Sequence, residues 1–324
     1  MFVRVSPCSS VFACCFLVPH EKIARGGEML LSRRYFACLL VTLTVCPALR
    51  AQENSNLDTR IRAEISRFEG KVSLFAKNLD TGTTYAFGAD DMVRTASTIK
   101  IPVLVEAFAQ VAEGRVRWAD KVILKDAKKI SGSGVLQELS DGLELTLRDA
   151  VTLMIVLSDN TATNLALDVL TTDAVNARIS GLGLKHTFLL RKVGGGGVSK
   201  AGEDPANARF GLGVTTPREM VFLLEKLERG EVISPAASAE MIKLLKRTQG
   251  HEGLGRTLQG VEMATKPGAL DRLRSEVGII YTKRGRIAVA ITCDDMPKPE
   301  WTVDNPGYLL LSRLSLILIE GLAS

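Results

Sequence analysis

The chain has 324 residues, of which 46% are hydrophobic and 24% charged, a balance typical of a globular protein. This length is enough for one large domain or two interleaved lobes. The formal net charge of +5 comes mostly from residues 1–51, because the rest of the chain has 35 basic and 34 acidic residues. No basic stripe with interleaved aromatic residues follows, so we exclude nucleic acid as an expected partner.

The N-terminal segment, residues 1–51, is typical of an extension followed by an export signal. An arginine pair precedes an apolar stretch too short to span a bilayer, and then small residues suited to signal cleavage (Arg33-Arg34, Tyr35–Val45, Ala48 and Ala51). We therefore expect cleavage before Gln52, with Met29 a more natural start than Met1. A retained lipid anchor is the weaker alternative, because Val45 stands where a lipobox needs a small residue.

Cysteine usage agrees with export to the periplasm or the medium. Five of the six cysteines fall in the segment to be removed (Cys8, Cys14, Cys15, Cys38 and Cys46). Only Cys293 remains in the mature chain, so an intrachain disulfide is excluded. Its apolar surroundings predict a buried residue of the core.

The mature chain, residues 52–324, alternates between strand and helix patterns. In chain order we predict a helix over 57–68, a hairpin of 71–79 with 84–87, helices over 98–112, 146–158 and 165–170, a long loop over 190–214, a helix starting at Pro217, strands over 277–282 and 287–293, and a last helix over 306–322. Strands at both ends with helices between them predict an α/β (α+β) fold. We expect an antiparallel sheet built from both termini, about 55–95 and 225–324, flanked by helices, with an inserted helical lobe at about 96–224.

Ser97 and Lys100 lie where the second helix pattern begins. Side chains three residues apart project from one face of a helix, about one turn from each other. A serine hydroxyl needs an adjacent base to become a nucleophile, and a lysine amine serves when its pKa is pressed down. A helix start also aims the Ser97 backbone N–H at a developing oxyanion. By itself, Ser-x-x-Lys is a weak motif.

The second polar group is Ser158-Asp159-Asn160, directly after an apolar helix pattern. Its structural interpretation is a helix end followed by an N-cap, with Asp159 as the cap. Its functional interpretation makes Ser158 a proton relay and Asn160 an amide that holds a substrate amide. A polar triplet after such a helix favours a site.

The third group is Lys266-Pro267-Gly268, just before the two C-terminal strands. A lysine on an edge strand beside two serines can anchor a substrate carboxylate, and a glycine permits close approach. A lone triplet of this kind would be interpreted as a solvated strand end. Pro267 is tolerable only on an edge strand, since it lacks a backbone N–H.

Together the three groups, in this order and spacing, resemble the set found in class A β-lactamases and penicillin-binding proteins. The resemblance covers residues 57–322 and includes Gly134–Gln137, Thr146–Asp149 and Thr215–Met220. It implies that Ser97 is the acylating nucleophile, that Lys100 is its base and that Ser158 relays the proton to the leaving nitrogen. Asn160 and Lys266 would bind the substrate. The oxyanion hole would consist of the backbone N–H groups of Ser97 and of Ala269, which follows Gly268. The carboxylate-binding arginine stays open among Arg256, Arg272 and Arg274.

Deacylation separates a lactamase from a cell-wall transpeptidase, and the resemblance implies a loop glutamate for it. Glu203 and Asn207 have the Glu-x-x-x-Asn spacing in the right interval, so we expect Glu203 to activate a water that Asn207 fixes. The alternative is that Glu203 is a solvated loop acid. The short stretch from Asn207 to Pro217 and the four glycines at 194–197 depart from the usual loop and predict slow deacylation.

Other chemistries are disfavoured. The mature chain has only His186 and His251 and no cysteine pair, so we expect neither a catalytic zinc nor any other cofactor. No Gly-x-Ser-x-Gly elbow supports a Ser-His-Asp triad. The leading hypothesis is a monomeric serine β-lactamase acting on β-lactams. The alternatives are a penicillin-binding-type D,D-peptidase or esterase acting on peptidoglycan-like peptides, and a non-catalytic binding module of the same fold.

Overall fold

The computed structural model describes residues 56–322. The predicted export signal and its cleavage before Gln52 lie outside these residues. Within them, no helix is long and apolar enough to cross a membrane.

The described chain alternates strands and helices in the order expected for a mixed fold. The strands are β1 (Lys71–Asn78), β2 (Thr84–Phe87), β3 (Val93–Arg94), β4 (Lys121–Ile123), β5 (Glu144–Thr146), β6 (Phe188–Leu189), β7 (Gly213–Thr215), β8 (Glu262–Leu270), β9 (Leu273–Thr282) and β10 (Gly285–Asp294). The helices are α1 (56–65), α2 (Lys100–Ala112), α3 (Leu147–Val156), α4 (Asn160–Leu170), α5 (Thr172–Gly181), α6 (Lys200–Glu203), α7 (Pro217–Glu228), α8 (Pro235–Leu245) and α9 (Pro306–Leu322).

A five-stranded antiparallel sheet in the order β2-β1-β10-β9-β8 forms the centre of the fold. The N-terminal β1 pairs along its whole length with the C-terminal β10, from Lys71 opposite Asp294 to Asn78 opposite Ile287. The prediction of one sheet built from both ends of the chain is confirmed. β8 lies at the sheet edge, so the missing N–H of Pro267 is accommodated there.

Alternation of side chains along the strands divides the core between the two faces of the sheet. On one face, Leu74 and Ile291 pack with α1 and α9, whose buried residues include Ile61 and Leu314. On the other face, Ala290 and its neighbours join the larger core formed by the helices between β3 and β8. Cys293 is fully buried on the first face and is a free thiol, as predicted.

Helix ends follow the sequence signals closely. The Thr146 hydroxyl accepts a hydrogen bond from the Asp149 N–H, and the Asp149 carboxylate accepts one from the Thr146 N–H, so the predicted capping box is present. The last helix, α9, matches its predicted bounds. α4 begins at Asn160, five residues earlier than predicted, because the Asp159 side chain caps the Ala162 N–H.

Two stretches differ from the sequence expectation. Residues 96–99 form a 3-10 turn that precedes α2, so Ser97 lies on this turn and Lys100 starts the helix. The segment 190–214, predicted as a long loop, contains the short helix α6 and a 3-10 turn over Pro205–Phe210 before β7.

Candidate active site

A cleft of about 1200 Å³ runs between the β8 edge of the sheet and the helices inserted between the strands. Its wall includes predicted site residues from all three polar groups: Ser97, Ser158, Asn160, Gly268 and Ala269. Segments separated by up to about one hundred and seventy residues in sequence therefore meet in one cavity, a common arrangement for enzyme sites.

Ser97 is presented to this cleft by a strained backbone. The preceding Ala96 has φ +46°, a left-handed conformation that is unfavourable for any residue with a Cβ and often found at functional sites. Ser97 is partly exposed, and its side chain makes no hydrogen bond with the described residues. Its hydroxyl is therefore free to face a substrate carbonyl.

Gly268 is required because β8 packs directly against the Ser97 turn. A Cβ at Gly268 would lie 2.9 Å from the Thr95 carbonyl oxygen and 3.0 Å from the Ser97 N. Any side chain would push the strand and the turn apart. The glycine thus brings the Ser97 and Ala269 backbones close together, as an oxyanion hole made from their N–H groups requires.

Lys100 connects the first two polar groups. Its exposed fraction is 0%, and its Nζ donates to the Ser158 carbonyl oxygen at 2.7 Å, to Ser158 Oγ at 3.2 Å and to Asn160 Oδ1 at 3.1 Å. Burial lowers the pKa of Lys100 well below its usual value, the charge of Lys266 lowers it further, and Asp159 opposes the shift. A neutral amine here can take a proton from a nearby hydroxyl.

Asp159 positions the residues on either side of it. Ser158 has φ +55°, again a left-handed conformation, which turns its side chain toward Lys100. The buried Asp159 carboxylate accepts hydrogen bonds from the N–H groups of Val135 at 2.7 Å, Leu136 at 2.9 Å and Ala162 at 2.8 Å. Asp159 is therefore the N-cap predicted from the sequence, and the residues on either side of it, Ser158 and Asn160, line the cleft.

Lys266 lies elsewhere than the sequence led us to expect. It is fully buried, does not contribute to the cleft wall, and donates from Nζ to the Pro267 carbonyl oxygen at 3.0 Å. Because side chains alternate along a strand, Lys266 shares a face with Gly268 and is covered by the Ser97 turn. Burial lowers the pKa of Lys266 to about 7, with nearby Glu276 opposing the shift. Lys266 acts on Lys100 through its charge.

Glu203 and Asn207 are not brought to the cleft. Glu203 is exposed at the end of α6, and neither residue is part of the cleft wall. Asn207 folds back instead, donating from Nδ2 to the Ala201 carbonyl oxygen at 2.9 Å. The reason is that Ser199 anchors α6 to the outer strand β6, with its hydroxyl donating to the Leu189 carbonyl oxygen at 2.7 Å.

The same loop presents Val193 to the cleft, a residue that sequence reasoning missed. Asn164 of α4 holds the Val193 backbone at both ends, accepting from its N–H at 3.0 Å and donating to its carbonyl oxygen at 2.9 Å. Val193 belongs to the cleft wall together with Ser97 and Ser158. Nothing in the local pattern marks this position, because the pairing with Asn164 spans 29 residues.

No group of three or more His, Cys, Asp or Glu side chains that could hold a metal ion occurs among residues 56–322. The cleft wall instead carries the hydroxyl groups of Ser97 and Ser158, and Lys100 lies buried behind it in hydrogen-bond contact with Ser158.

A family model described as the β-lactamase enzyme family matches residues 56–322, which is almost the whole described chain. The chain belongs to the β-lactamase enzyme family. This confirms the family resemblance and the fold class predicted from the three polar groups, and supports a serine β-lactamase-like function.

Solved structures of the family superpose along most of the chain. A β-lactamase from Sphaerobacter thermophilus is 30% identical, with a TM-score of 0.72 and coverage of 83% of this chain and 97% of that one. PBP-A is 26% identical, with a TM-score of 0.71 and coverage of 82% and 95%. A point mutant of PBP-A, solved as an acyl-enzyme complex with penicillin G, is 27% identical, with a TM-score of 0.70 and coverage of 82% and 96%. A comparison with curated proteins gives no match.

Replacing Asp159 by asparagine should destabilise the protein and weaken acylation together. The amide NH₂ would face backbone N–H donors, leaving buried groups unpaired at a cost of about 2 kcal/mol. Urea denaturation would measure the loss of unfolding free energy, and the rate of penicillin acylation would report the displacement of Ser158 and Asn160. Wild-type stability in Asp159→Asn would show that the carboxylate is not what joins these segments.

Replacing Lys266 by glutamine should shift the acidic limb of the acylation pH profile to higher pH. The charge of Lys266 lowers the pKa of Lys100, so without it Lys100 stays protonated, and inactive as a base, to higher pH. The measurement is the second-order rate constant of penicillin acylation from pH 5 to 9. Lys243→Gln, an exposed site on α8, is the control and should leave the limb in place. An unmoved limb in Lys266→Gln would exclude this coupling.

Proposed function

We propose that the protein is a serine hydrolase that is acylated at Ser97 by β-lactams or peptidoglycan-like peptides and releases the acyl group slowly. The single observation that carries the proposal is the placement of buried Lys100 within 3.2 Å of the Ser158 hydroxyl and of the Asn160 amide oxygen, two residues that line the same cleft as Ser97.

The proposed acylation uses only side chains and backbone groups of this cleft. Lys100, as a neutral amine, takes the proton of Ser97 Oγ while that oxygen attacks the substrate carbonyl carbon. The N–H groups of Ser97 and Ala269 stabilise the oxyanion. The C–N bond then breaks, and the proton passes from Lys100 through the Ser158 hydroxyl to the leaving nitrogen. The product is an acyl-Ser97 ester; the amine stays attached to the acyl group when a β-lactam ring opens and leaves as a separate molecule when a peptide is cleaved.

Deacylation needs a base that activates water. The residues that line this cleft support slow deacylation. Val193 lines the same cleft as Ser97, while Glu203 is exposed and does not line it. An apolar side chain cannot take a proton from water. Slow release favours the penicillin-binding interpretation, and the structural likeness to PBP-A supports it. Efficient β-lactamase turnover is the second candidate, supported by the 30% identity to the Sphaerobacter thermophilus β-lactamase.

We also propose that the protein works in the periplasm or the medium as a monomer without a cofactor. The export signal predicted in residues 1–51 supports this location, and peptidoglycan-like peptides and β-lactams are the small molecules it would meet there.

A mass-spectrometric time course with penicillin G should show one penicillin mass added to the chain and retained for minutes or longer. Ser97→Ala should show no addition, because it lacks the nucleophile, while remaining folded by circular dichroism. If the wild-type chain gains no mass, acylation at Ser97 is wrong. If the adduct disappears within seconds with release of penicilloate, the efficient lactamase is the right function.

Replacing Val193 by glutamate should speed deacylation by at least about tenfold, because it adds a carboxylate that can act as a base to the wall of the cleft that holds Ser97. Val193→Gln is the matched control, because glutamine has the same size as glutamate but no basic carboxylate, and it should leave deacylation slow. Glu203→Gln should behave like the wild type. A trapped acyl-enzyme in Glu203→Gln, beyond the wild-type lifetime, would instead restore Glu203 as the base.

A further inference from the structure

Trp301 places an exposed aromatic ring in the wall of the cleft. The residue lies in the turn between β10 and α9 and is 64% exposed, more than any other large hydrophobic residue of the described chain. A single exposed apolar residue on a convex surface needs no explanation. Trp301, however, lines the same cavity as Ser97, and aromatic side chains in a concave wall are typical of ligand sites.

One face of the indole rests on a buried cation. The Arg274 guanidinium carbon lies 4.7 Å from the centroid of the Trp301 ring and 4.9 Å from that of the Tyr308 ring. Arg274 donates to the carbonyl oxygens of Leu270 at 2.6 Å and Leu273 at 2.7 Å. These acceptors are neutral, so the guanidinium keeps its charge and attracts both rings. The exposed part of Trp301 is therefore the face turned away from Arg274.

The backbone on either side of the indole is fixed. The Glu300 carbonyl oxygen accepts from Arg274 Nη2 and from Asn305 Nδ2, the latter at 2.9 Å. Asn305 is fully buried, and its N–H donates to the Thr302 carbonyl oxygen at 3.2 Å. The ring of Trp301 is thus positioned before any ligand arrives, so a contact with it costs little conformational entropy.

The stack of Trp301 on Arg274 lies at the reacting end of β8. Arg274 is directly opposite Ala269 in the β8–β9 register, and it donates to the carbonyl oxygen of Leu270, the next residue. In the proposed function, the substrate carbonyl lies between the N–H groups of Ser97 and Ala269. A substituent that extends beyond the end of β8 therefore reaches the open face of Trp301.

We propose that Trp301 is a specificity-determining residue that favours substrates carrying an aromatic ring, which stacks on its open face. The inference rests on the proposed function, because it concerns the same acylation at Ser97. Aromatic pairs stabilise a complex beyond the area that they bury. Arg272 and Arg274 donate to neutral carbonyl oxygens and stay charged, so this wall remains compatible with the carboxylate of a penicillin.

Three thioesters test this, each with the same carboxylate on the leaving thiol. The reference is the acetylglycyl ester of mercaptoacetate. The second carries phenylacetyl in place of acetyl, and the third carries a benzyl group on the mercaptoacetate carbon. The measurement is kcat/KM by thiol release, which reports acylation even when deacylation is slow. We expect the wild-type chain to prefer at least one phenyl ester over the reference.

Trp301→Ala should reduce this preference by about tenfold, and the ester that loses it shows which end of the substrate meets the ring. Trp301→Phe should keep most of the preference, because it retains a ring. Val303→Ala is the matched control: Val303 is an exposed apolar neighbour that does not line the cleft, and its removal should leave all ratios unchanged.

The outcomes separate this proposal from the proposed function. Absence of a wild-type preference, or unchanged ratios in Trp301→Ala, overturns the selection by Trp301 while acylation at Ser97 stands. Equal slowing of all three thioesters in Trp301→Ala, or the same loss of preference in Trp301→Phe, also overturns stacking. If neither penicillin G nor any thioester acylates the wild-type chain, the proposed function fails and this proposal fails with it.

Discussion

The burial of a lysine ammonium without an anionic partner in hydrogen-bonding contact is the constraint on which this site depends. Lys100 is held by one carbonyl, one hydroxyl and one amide oxygen, all from Ser158 and Asn160. Three neutral acceptors stabilise a buried cation less than a carboxylate would, so the neutral amine becomes accessible. In the proposed function, the interaction that joins α2 to the start of α4 is thus the one that prepares Lys100 as a base.

The rest of the fold maintains this arrangement from two directions. From the helical side, Asp159 caps α4 and draws the 135–136 backbone onto it, which fixes Ser158 in its left-handed conformation. From the sheet side, β8 lies against the Ser97 turn because Gly268 has no Cβ. The site is therefore a junction between one edge of the sheet and two helix starts. A displacement of either would separate the Ser97 turn from the cluster of Lys100, Ser158 and Asn160.

The loop between β6 and β7 shows how tertiary contacts override a sequence motif. The spacing of Glu203 and Asn207 matched a deacylation motif, but Ser199 ties their helix to the outer strand β6. Asn164 instead holds Val193 at the cleft wall. A sequence motif specifies only the number of residues between two positions. Where those residues lie in a folded loop depends on the hydrogen bonds that the loop makes with distant parts of the chain. In the proposed function, this loop sets the rate of deacylation.

Much of this protein was determined by local sequence. Helix caps, strand alternation and turn glycines predicted several elements, among them the first hairpin and the last helix, but not the helices Thr172–Gly181 and Pro235–Leu245 or the strand β8. Three motifs identified Ser97, Lys100, Ser158, Asn160 and Gly268 as one group, because each motif is local chemistry on a single helix start or strand. Only the tertiary structure decided that Lys266 lies buried beneath the Ser97 turn, and that Val193 and not Glu203 lines the cleft. These outcomes depend on strand register and on hydrogen bonds between residues far apart in sequence, and no periodicity along the chain encodes them.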